Sequence, residues 1–274
     1  VANESADGPI GMFDSGFGGL TVARAVIDLM PHEDLVYIGD TARYPYGSKP
    51  LADVRGFAHE LARSLVEEFR VKAIVVACNT AAAALPVEAL ADELGIPVLG
   101  VVEPGVRSLV QATRSGHVGV IGTVGTIGSG AYPNAVAATG VDVTLTCAAC
   151  PGFVEFVERG QTEGDEVMVL AERLLAPMVE AQVDTLLLGC THYPFLARVI
   201  GEVMGAGVVL VSSADETAFA LAAMLDRLGA RTERHTPGRH HFLSSGDEAW
   251  FAETGRRLLG PELSAARRWS HDPT

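Results

Sequence analysis

Residues 73–86 read AIVVACNTAAAALP, and residues 185–196 read TLLLGCTHYPFL. Each is a short apolar run, a small residue, a cysteine, a hydrogen-bonding pair and then a helical stretch. A buried parallel strand that ends at a cysteine and turns into a helix has this pattern. A second pair of segments is separated by nearly the same length of chain. IGMFDSGFGG from Ile10 and VGVIGTVGTIGSG from Val118 are both a strand running into a Gly-rich turn. The chain therefore reads as two copies of one half-structure. Each copy delivers one thiol, Cys78 or Cys190, to the carboxyl end of a sheet, where open α/β folds place their ligands. Two thiols facing one small ligand suggest proton chemistry on both faces of a carbon atom.

Working outward, apolar runs predict strands at Ile10–Phe13, Leu35–Ile38, Ala73–Ala77 and Val98–Val101 in the first half. In the second they fall at Val118–Ile121, Val143–Thr146, Thr185–Leu188 and Val208–Val211. Helical stretches lie between them. Leu51–Phe69 is the clearest, with Val54, Phe57, Leu61, Leu65 and Phe69 at three- or four-residue steps. The others are Leu20–Met30, Ala81–Leu94, Pro104–Ala112, Asp165–Ala181, Phe195–Met204, Glu216–Leu228 and Asp247–Leu259. Strands alternating with helices predict an α/β fold: two pseudo-symmetric lobes with largely parallel sheets and the active site between them. The expected first lobe is residues 8–104 plus 213–265, the returning segment adding a strand near Phe242–Leu243; the second lobe is 105–212. Residues 266–274, Arg-rich, are expected to fray.

A chain of 274 residues, 48% hydrophobic and with positive mean hydropathy, can bury a large core and is not disordered. No apolar run reaches the roughly 18 residues of a membrane span. Val1–Pro9 is polar and acidic, unlike a signal peptide, so a cytoplasmic protein with no membrane partner is expected. The net charge of −14 argues against nucleic acid as a direct ligand, since phosphate binding needs a basic face. Cys147 and Cys150 form a C-x-x-C in TLTCAACPG. With no second such pair and only His240-His241 as another ligand-like cluster, they read as buried thiols rather than a redox pair or a zinc site. Lys49 and Lys72 are the only lysines, and neither setting suits a Schiff base to pyridoxal phosphate. No cofactor and no metal are expected.

Asp14-Ser15-Gly16-Phe17-Gly18-Gly19 follows a strand and opens a helix, where backbone N–H groups favour an anion. It fits neither the dinucleotide nor the P-loop spacing, so by itself it reads as a tight turn needing glycine before it reads as a ligand loop. Asp14 at the end of a buried strand costs stability unless paired or functional. Tyr44-Pro45-Tyr46-Gly47 is a turn or a loop offering backbone groups to a ligand. Thr123 and Thr126 could cap a helix or donate hydroxyls to a carboxylate. Cys78-Asn79-Thr80 and Cys190-Thr191-His192 form the strongest constellation. A free thiol is only a few per cent thiolate at neutral pH, so each needs a helper. Asp14 and His192 are the obvious ones, one per half.

The pieces FDSGFGGLTV, YIGDTARYPYGSKP, VVACNTAAA, GVIGTVGT, ACPGFVEFVERG and LLLGCTHYPFL, in this order, resemble the glutamate racemase family over essentially the whole chain. The excess of Arg over Lys resembles a high-GC actinobacterial member. The resemblance implies interconversion of L- and D-glutamate without pyridoxal phosphate or metal, supplying D-glutamate for peptidoglycan. It implies that Cys78 and Cys190 are the two acid/bases, Cys78 acting on the D isomer and Cys190 on the L isomer, with Asp14 and His192 as helpers. It places Ser15, Tyr46, Gly47, Asn79, Thr80, Thr123 and Thr191 around the substrate. A further family carboxylate follows the ACP motif, where FVEFVERG offers Glu155 and Glu158. Glu158 is preferred, because another racemase subgroup carries proline at the Glu155 position. The family forms homodimers in several arrangements, and some members are reported to bind DNA gyrase.

Other readings are a thiol hydrolase with a Cys-His-Asp set, a related aspartate or hydantoin racemase, and a two-lobed binding module. The first leaves the second cysteine motif unexplained. Two-base chemistry requires both thiols to meet in one cleft, with Cys147 and Cys150 away from it.

Overall fold

The computed structural model describes residues 7–263 and 265–270. Two parallel sheets organise them. The first runs, in spatial order, β10 (Arg267–Arg268), β9 (His240–Ser244), β2 (Leu35–Gly39), β1 (Ile10–Asp14), β3 (Ala73–Val76) and β4 (Val98–Gly100). The second runs β6 (Thr144–Ala149), β5 (His117–Gly122), β7 (Thr185–Gly189) and β8 (Val209–Ser212). The orders β2-β1-β3-β4 and β6-β5-β7-β8 are the same, so the repeat in the sequence is a repeat in topology. Strands β1, β3 and β7 are buried throughout, as strands covered on both faces must be. Along β7 the side chains alternate. Leu187 joins the core shared with the first sheet, while Leu186 and Leu188 join a separate cluster with Phe153, Leu175, Met178 and Ile200.

The approaches to the two thiol-bearing strands also match. Helices α2 (Leu51–Phe69) and α9 (Asp165–Glu180) precede β3 and β7. After each, one non-glycine residue takes a left-handed conformation, Arg70 and Gln182, both at φ 50°. The next amide returns to the helix, Val71 N–H to Leu65 C=O and Val183 N–H to Met178 C=O. This is a Schellman-like closure that fixes where the strand begins.

Helix α1 (Leu20–Leu29) follows β1, and α5 (Val102–Ala112) and α11 (Ser213–Leu228) pack on one another, α11 also lying against α1. Beyond α11 the chain returns, and β9 lies beside β2 in register, Tyr37 opposite Phe242. Helix α12 (Glu248–Leu259) then packs on α1, with Phe251 stacked on Phe17. Lys72 is buried in an ion pair with Glu33 at 2.6 Å.

Three expectations need correction. The stretch 81–94 is two helices, α3 (Asn79–Ala84) and α4 (Val87–Leu94), because Pro86 pushes the preceding Leu85 into extended backbone. The tail does not fray from residue 266: Arg267–Arg268 pairs with β9, Trp269 is buried, and Trp269 N–H donates to Ser244 C=O. Burial of one indole supplies what an Arg-rich composition does not advertise; residues 271–274 of that tail lie outside the described residues. Three short helices went unread: α6 (Val124–Gly128), α7 (Ala131–Ala138) and α8 (Phe153–Glu158). Glycines or prolines within or just before them masked any helical period.

Candidate active site

Both thiols stand where a central strand turns into a helix, and both open into one cleft between the sheets. Its walls include Ser15, Tyr46, Gly47, Cys78, Asn79, Thr80, Thr123, Cys190, Thr191 and His192. The cleft encloses about 610 Å3 of atom-free space, its mouth included. The two halves approach closely around it. A Cβ on Gly47 would lie 2.6 Å from Cβ of Thr123, and one on Gly18 would strike Thr191 and His192. Only glycine permits these contacts.

In the first half, Asp14 ends β1 fully buried. Its Oδ1 accepts from Gly16 N–H at 2.7 Å, and Thr191 of the other half donates its hydroxyl to Oδ2 at 3.4 Å. Burial raises the Asp14 carboxyl to about 6, against the lowering effect of the Gly16 and Gly19 amides. Cys78 is the N-cap of α3 and accepts from Ala81 N–H at 3.5 Å, while its thiol donates to Ser15 Oγ at 3.7 Å. Burial and the Asp14 charge push this thiol up to about 11.

In the second half, Cys190 Sγ lies 3.9 Å from Nδ1 of His192. Burial pushes the Cys190 thiol far above its ordinary range and lowers His192 to about 4. Both thiols are therefore protonated at neutral pH; Cys190 faces His192 directly, whereas Cys78 contacts Ser15 and feels Asp14, which is absent from the cleft wall, through its charge.

Other side chains bridge the halves. Asn79 donates through Nδ2 to Tyr132 Oη of α7 at 2.7 Å. Its Oδ1 is buried without a partner. Thr80 of α3 meets Thr123 and Thr126 in a trio of hydroxyls 2.9–3.1 Å apart. Thr123 also caps α6, accepting from Thr126 N–H at 3.2 Å. Capping and hydroxyl donation are thus compatible here. Tyr46 commits its hydroxyl to the buried Asp40, so this residue offers the cleft its backbone and ring edge.

Two placements differ from expectation. Cys150 lines the cleft instead of lying away from it, since the loop Cys150–Gly152 after β6 forms part of the mouth. Tyr193 Oη holds that loop by donating to Cys150 C=O at 3.0 Å. Glu158 is absent from the cleft wall, where Glu155 stands. It sits behind His192, its Oε1 3.8 Å from Nε2, because both carboxylates ride on α8 and only the first turn reaches the mouth. Tyr44 and Tyr132 went unread as site residues. Tyr44 had a signal in the loop shared with Tyr46; Tyr132 had none. Among the described residues no group of three or more His, Cys, Asp or Glu is arranged to hold a metal ion.

Paired thiols meet here in a cleft between duplicated α/β halves, and the chain belongs to the Asp/Glu/Hydantoin racemase family, which it matches over residues 20–221. It is 54% identical to a glutamate racemase of Parafrankia sp., across 94% of this chain and 92% of that one. Among solved structures, glutamate racemase isoform RacE1 of Bacillus anthracis superposes with a TM-score of 0.90 at 38% identity, covering 97% of this chain and 98% of that one. Glutamate racemase of Francisella tularensis, solved with D-glutamate, gives 0.88 at 30% identity, with the same coverage.

Proposed function

We infer that this protein is a glutamate racemase, exchanging the Cα proton of L- and D-glutamate between two cysteines and so supplying D-glutamate for peptidoglycan. The observation that carries the reading is the meeting of Cys78 and Cys190 in one cleft, with His192 beside Cys190 and the charge of Asp14 felt by Cys78. In one direction Cys78 abstracts the proton of D-glutamate while Cys190 protonates the opposite face; L-glutamate uses the reverse. Asp14 and His192 receive the thiol protons that make each base. Moving the Cys78 proton (about 11) to Asp14 (about 6) costs at most about 7 kcal/mol, because the Asp14 charge that helps raise the thiol is removed in the same step. A turnover of about ten per second tolerates a barrier near 16 kcal/mol, so this step leaves room for the chemistry.

Substrate contacts follow from donor and acceptor type. The free Asn79 Oδ1 suits the ammonium group. The hydroxyls of Thr80 and Thr123, with Ser15, Thr191 and the backbone of Tyr46-Gly47, suit the carboxylates. Fixed donors around the reacting carboxylate, in a water-poor cleft, stabilise the carbanion with no organic electron sink. The lobes, residues 8–104 with 213–265 and residues 105–212, close on glutamate and bury it. The same reading has a cytoplasmic homodimer; gyrase binding, reported for some of the family, is assigned to no surface of this chain.

Incubation with L-glutamate in D2O, followed by proton NMR and chiral analysis, tests this. Solvent deuterium at Cα and a racemic end point are expected with no cofactor added. Activity on aspartate alone in a substrate panel would move the chain to the sister specificity. Ligand binding without exchange at Cα would reduce it to a binding module.

A further inference from the structure

Three buried polar atoms meet at the rear of the Cys190 half: the Tyr44 hydroxyl, Glu158 Oε1 and His192 Nε2. None completes a direct hydrogen bond. Such atoms are costly to leave unpaired, and here their types are complementary. The hydroxyl and an imidazole N–H can donate, and the carboxylate lies between them. Glu158 Oε1 is 3.8 Å from His192 Nε2, about an ångström beyond a hydrogen bond. Tyr44 and Glu158 face one another closely enough for hydrogen bonding between them to shift both ionisations, although the geometry falls short of a closed bond.

Tyr44 is also held in place. Its ring lies 6.2 Å from the His192 ring, tilted by 40°. On the other side a Cβ on Gly16 would stand 2.9 Å from it. The residue comes from the loop after β2, in the first half, whereas Glu158 and His192 belong to the second. Contact across the cleft therefore depends on how the halves sit together.

We propose that Tyr44 is a positioning residue for the Cys190 base: its hydroxyl holds the Glu158 carboxylate against Nε2 of His192, so that Nδ1 is left to accept the Cys190 proton and Glu158 steadies the imidazolium. This rests on the racemase reading and deepens it. The tautomer follows from the partners, since a carboxylate at Nε2 keeps a proton there and leaves Nδ1 a lone pair toward sulfur. Burial raises Glu158 to about 7; the charges of Glu155 and Asp14 push the same way and Tyr44 opposes them. Arg257 of α12 lines the hollow on the outer side of Glu158, with its guanidinium committed to Glu253 at 2.8 Å. Near neutral pH the carboxylate is thus balanced between its two states, and the phenol favours the ionised one.

Initial rates from each pure enantiomer, followed by circular dichroism between pH 5.5 and 9 for the parent, Tyr44→Phe, Glu158→Gln and the double variant, test the proposal. Tyr44→Phe keeps the ring on His192 and Gly16 and removes only the hydroxyl. It should lower kcat from L-glutamate about 3–10-fold at pH 7 and move the acid limb of that direction upward by about one pH unit. From D-glutamate the change in kcat should stay below about twofold, with KM values adjusting so that the equilibrium constant remains one. The double variant should be no slower than Glu158→Gln. An unmoved acid limb in Tyr44→Phe, equal losses in both directions, or additive losses in the double variant would overturn the proposal. A parent protein that does not racemise glutamate would defeat the underlying reading and this one with it. A parent that racemises beside a silent Tyr44→Phe defeats this one alone.

Discussion

The Asp14–Cys78 pair and the Cys190–His192 pair sit on the same frame and use different chemistry. Each thiol ends a central strand, β3 or β7, entered through a left-handed residue after a long helix. Each is buried and protonated at neutral pH. The acceptors differ. Asp14, near 6, is largely ionised at pH 7 and steadied by backbone amides; His192, lowered to about 4, is neutral. Under the proposed roles, one half moves an existing negative charge from carboxylate to thiolate, and the other creates an ion pair from neutral groups. A pseudo-symmetric fold can treat mirror-image substrates alike at equilibrium while handling their protons differently in time. Because enantiomers have equal free energy, the asymmetry can appear only in separate kcat, KM and pH profiles.

The harshest way to break the comparison is to remove either thiol. Cys78→Ser and Cys190→Ser should each cut racemisation by about a thousandfold or more, since a hydroxyl is a far weaker base than a thiolate. Circular dichroism from either enantiomer measures this. A variant that keeps above about a tenth of the parent rate would leave one base unnecessary.

The helpers sharpen it. Asp14→Asn and His192→Asn should lower kcat by about 10–100-fold, unequally in the two directions. Asp14 must be ionised to take the Cys78 proton, so the D-to-L rate should fall as pH drops through about 6. That limb should disappear in Asp14→Asn. Equal losses in both directions for both variants would remove the helper assignment.

A smaller effect is expected at the hydroxyl trio that joins the halves. Thr80→Val and Thr123→Val should each raise KM about 5–10-fold, the worth of one ordinary hydrogen bond, with a lesser change in kcat. Unchanged KM in both would assign the trio to lobe packing alone.

The smallest effect is on stability and has the opposite sign to activity. Asp14 is raised above its ordinary 3.8, so the folded state favours its protonated form. The stability linked to that proton is complete below about pH 4 and is lost as pH rises through about 6. Asp14→Asn should therefore be as stable as the parent or more so at pH 7.5, by at most about 3 kcal/mol, with a Tm at or above the parent's, and the two should converge below pH 4. A Tm below the parent at pH 7.5 would mean that the carboxylate's bonds to Gly16 and Thr191 outweigh its burial.

Much of the fold was legible because its signals are local. Helix α2 begins and ends where its apolar spacing places it. The duplicated strand–cysteine motifs announced both thiols and the pairs beside them. What stayed hidden was one local breaker and a set of contacts distant in sequence. Pro86 divided one expected helix into α3 and α4. The exposed-looking tail is anchored by Trp269. Glu155 and Glu158 differ by less than one helical turn, too little for a motif to say which faces the cleft and which backs His192.

By itself, the sequence determined the two half-structures, their parallel order and the presence of one thiol and one candidate helper in each, since period, glycine placement and residue type act over a few positions. Tertiary structure alone decided that both thiols open into one cleft, that Thr191 of one half reaches Asp14 of the other, and that Tyr44 backs Glu158 and His192. It also decided the protonation states. A thiol or carboxyl moves from its ordinary range only when the rest of the chain has folded over it and taken its water away.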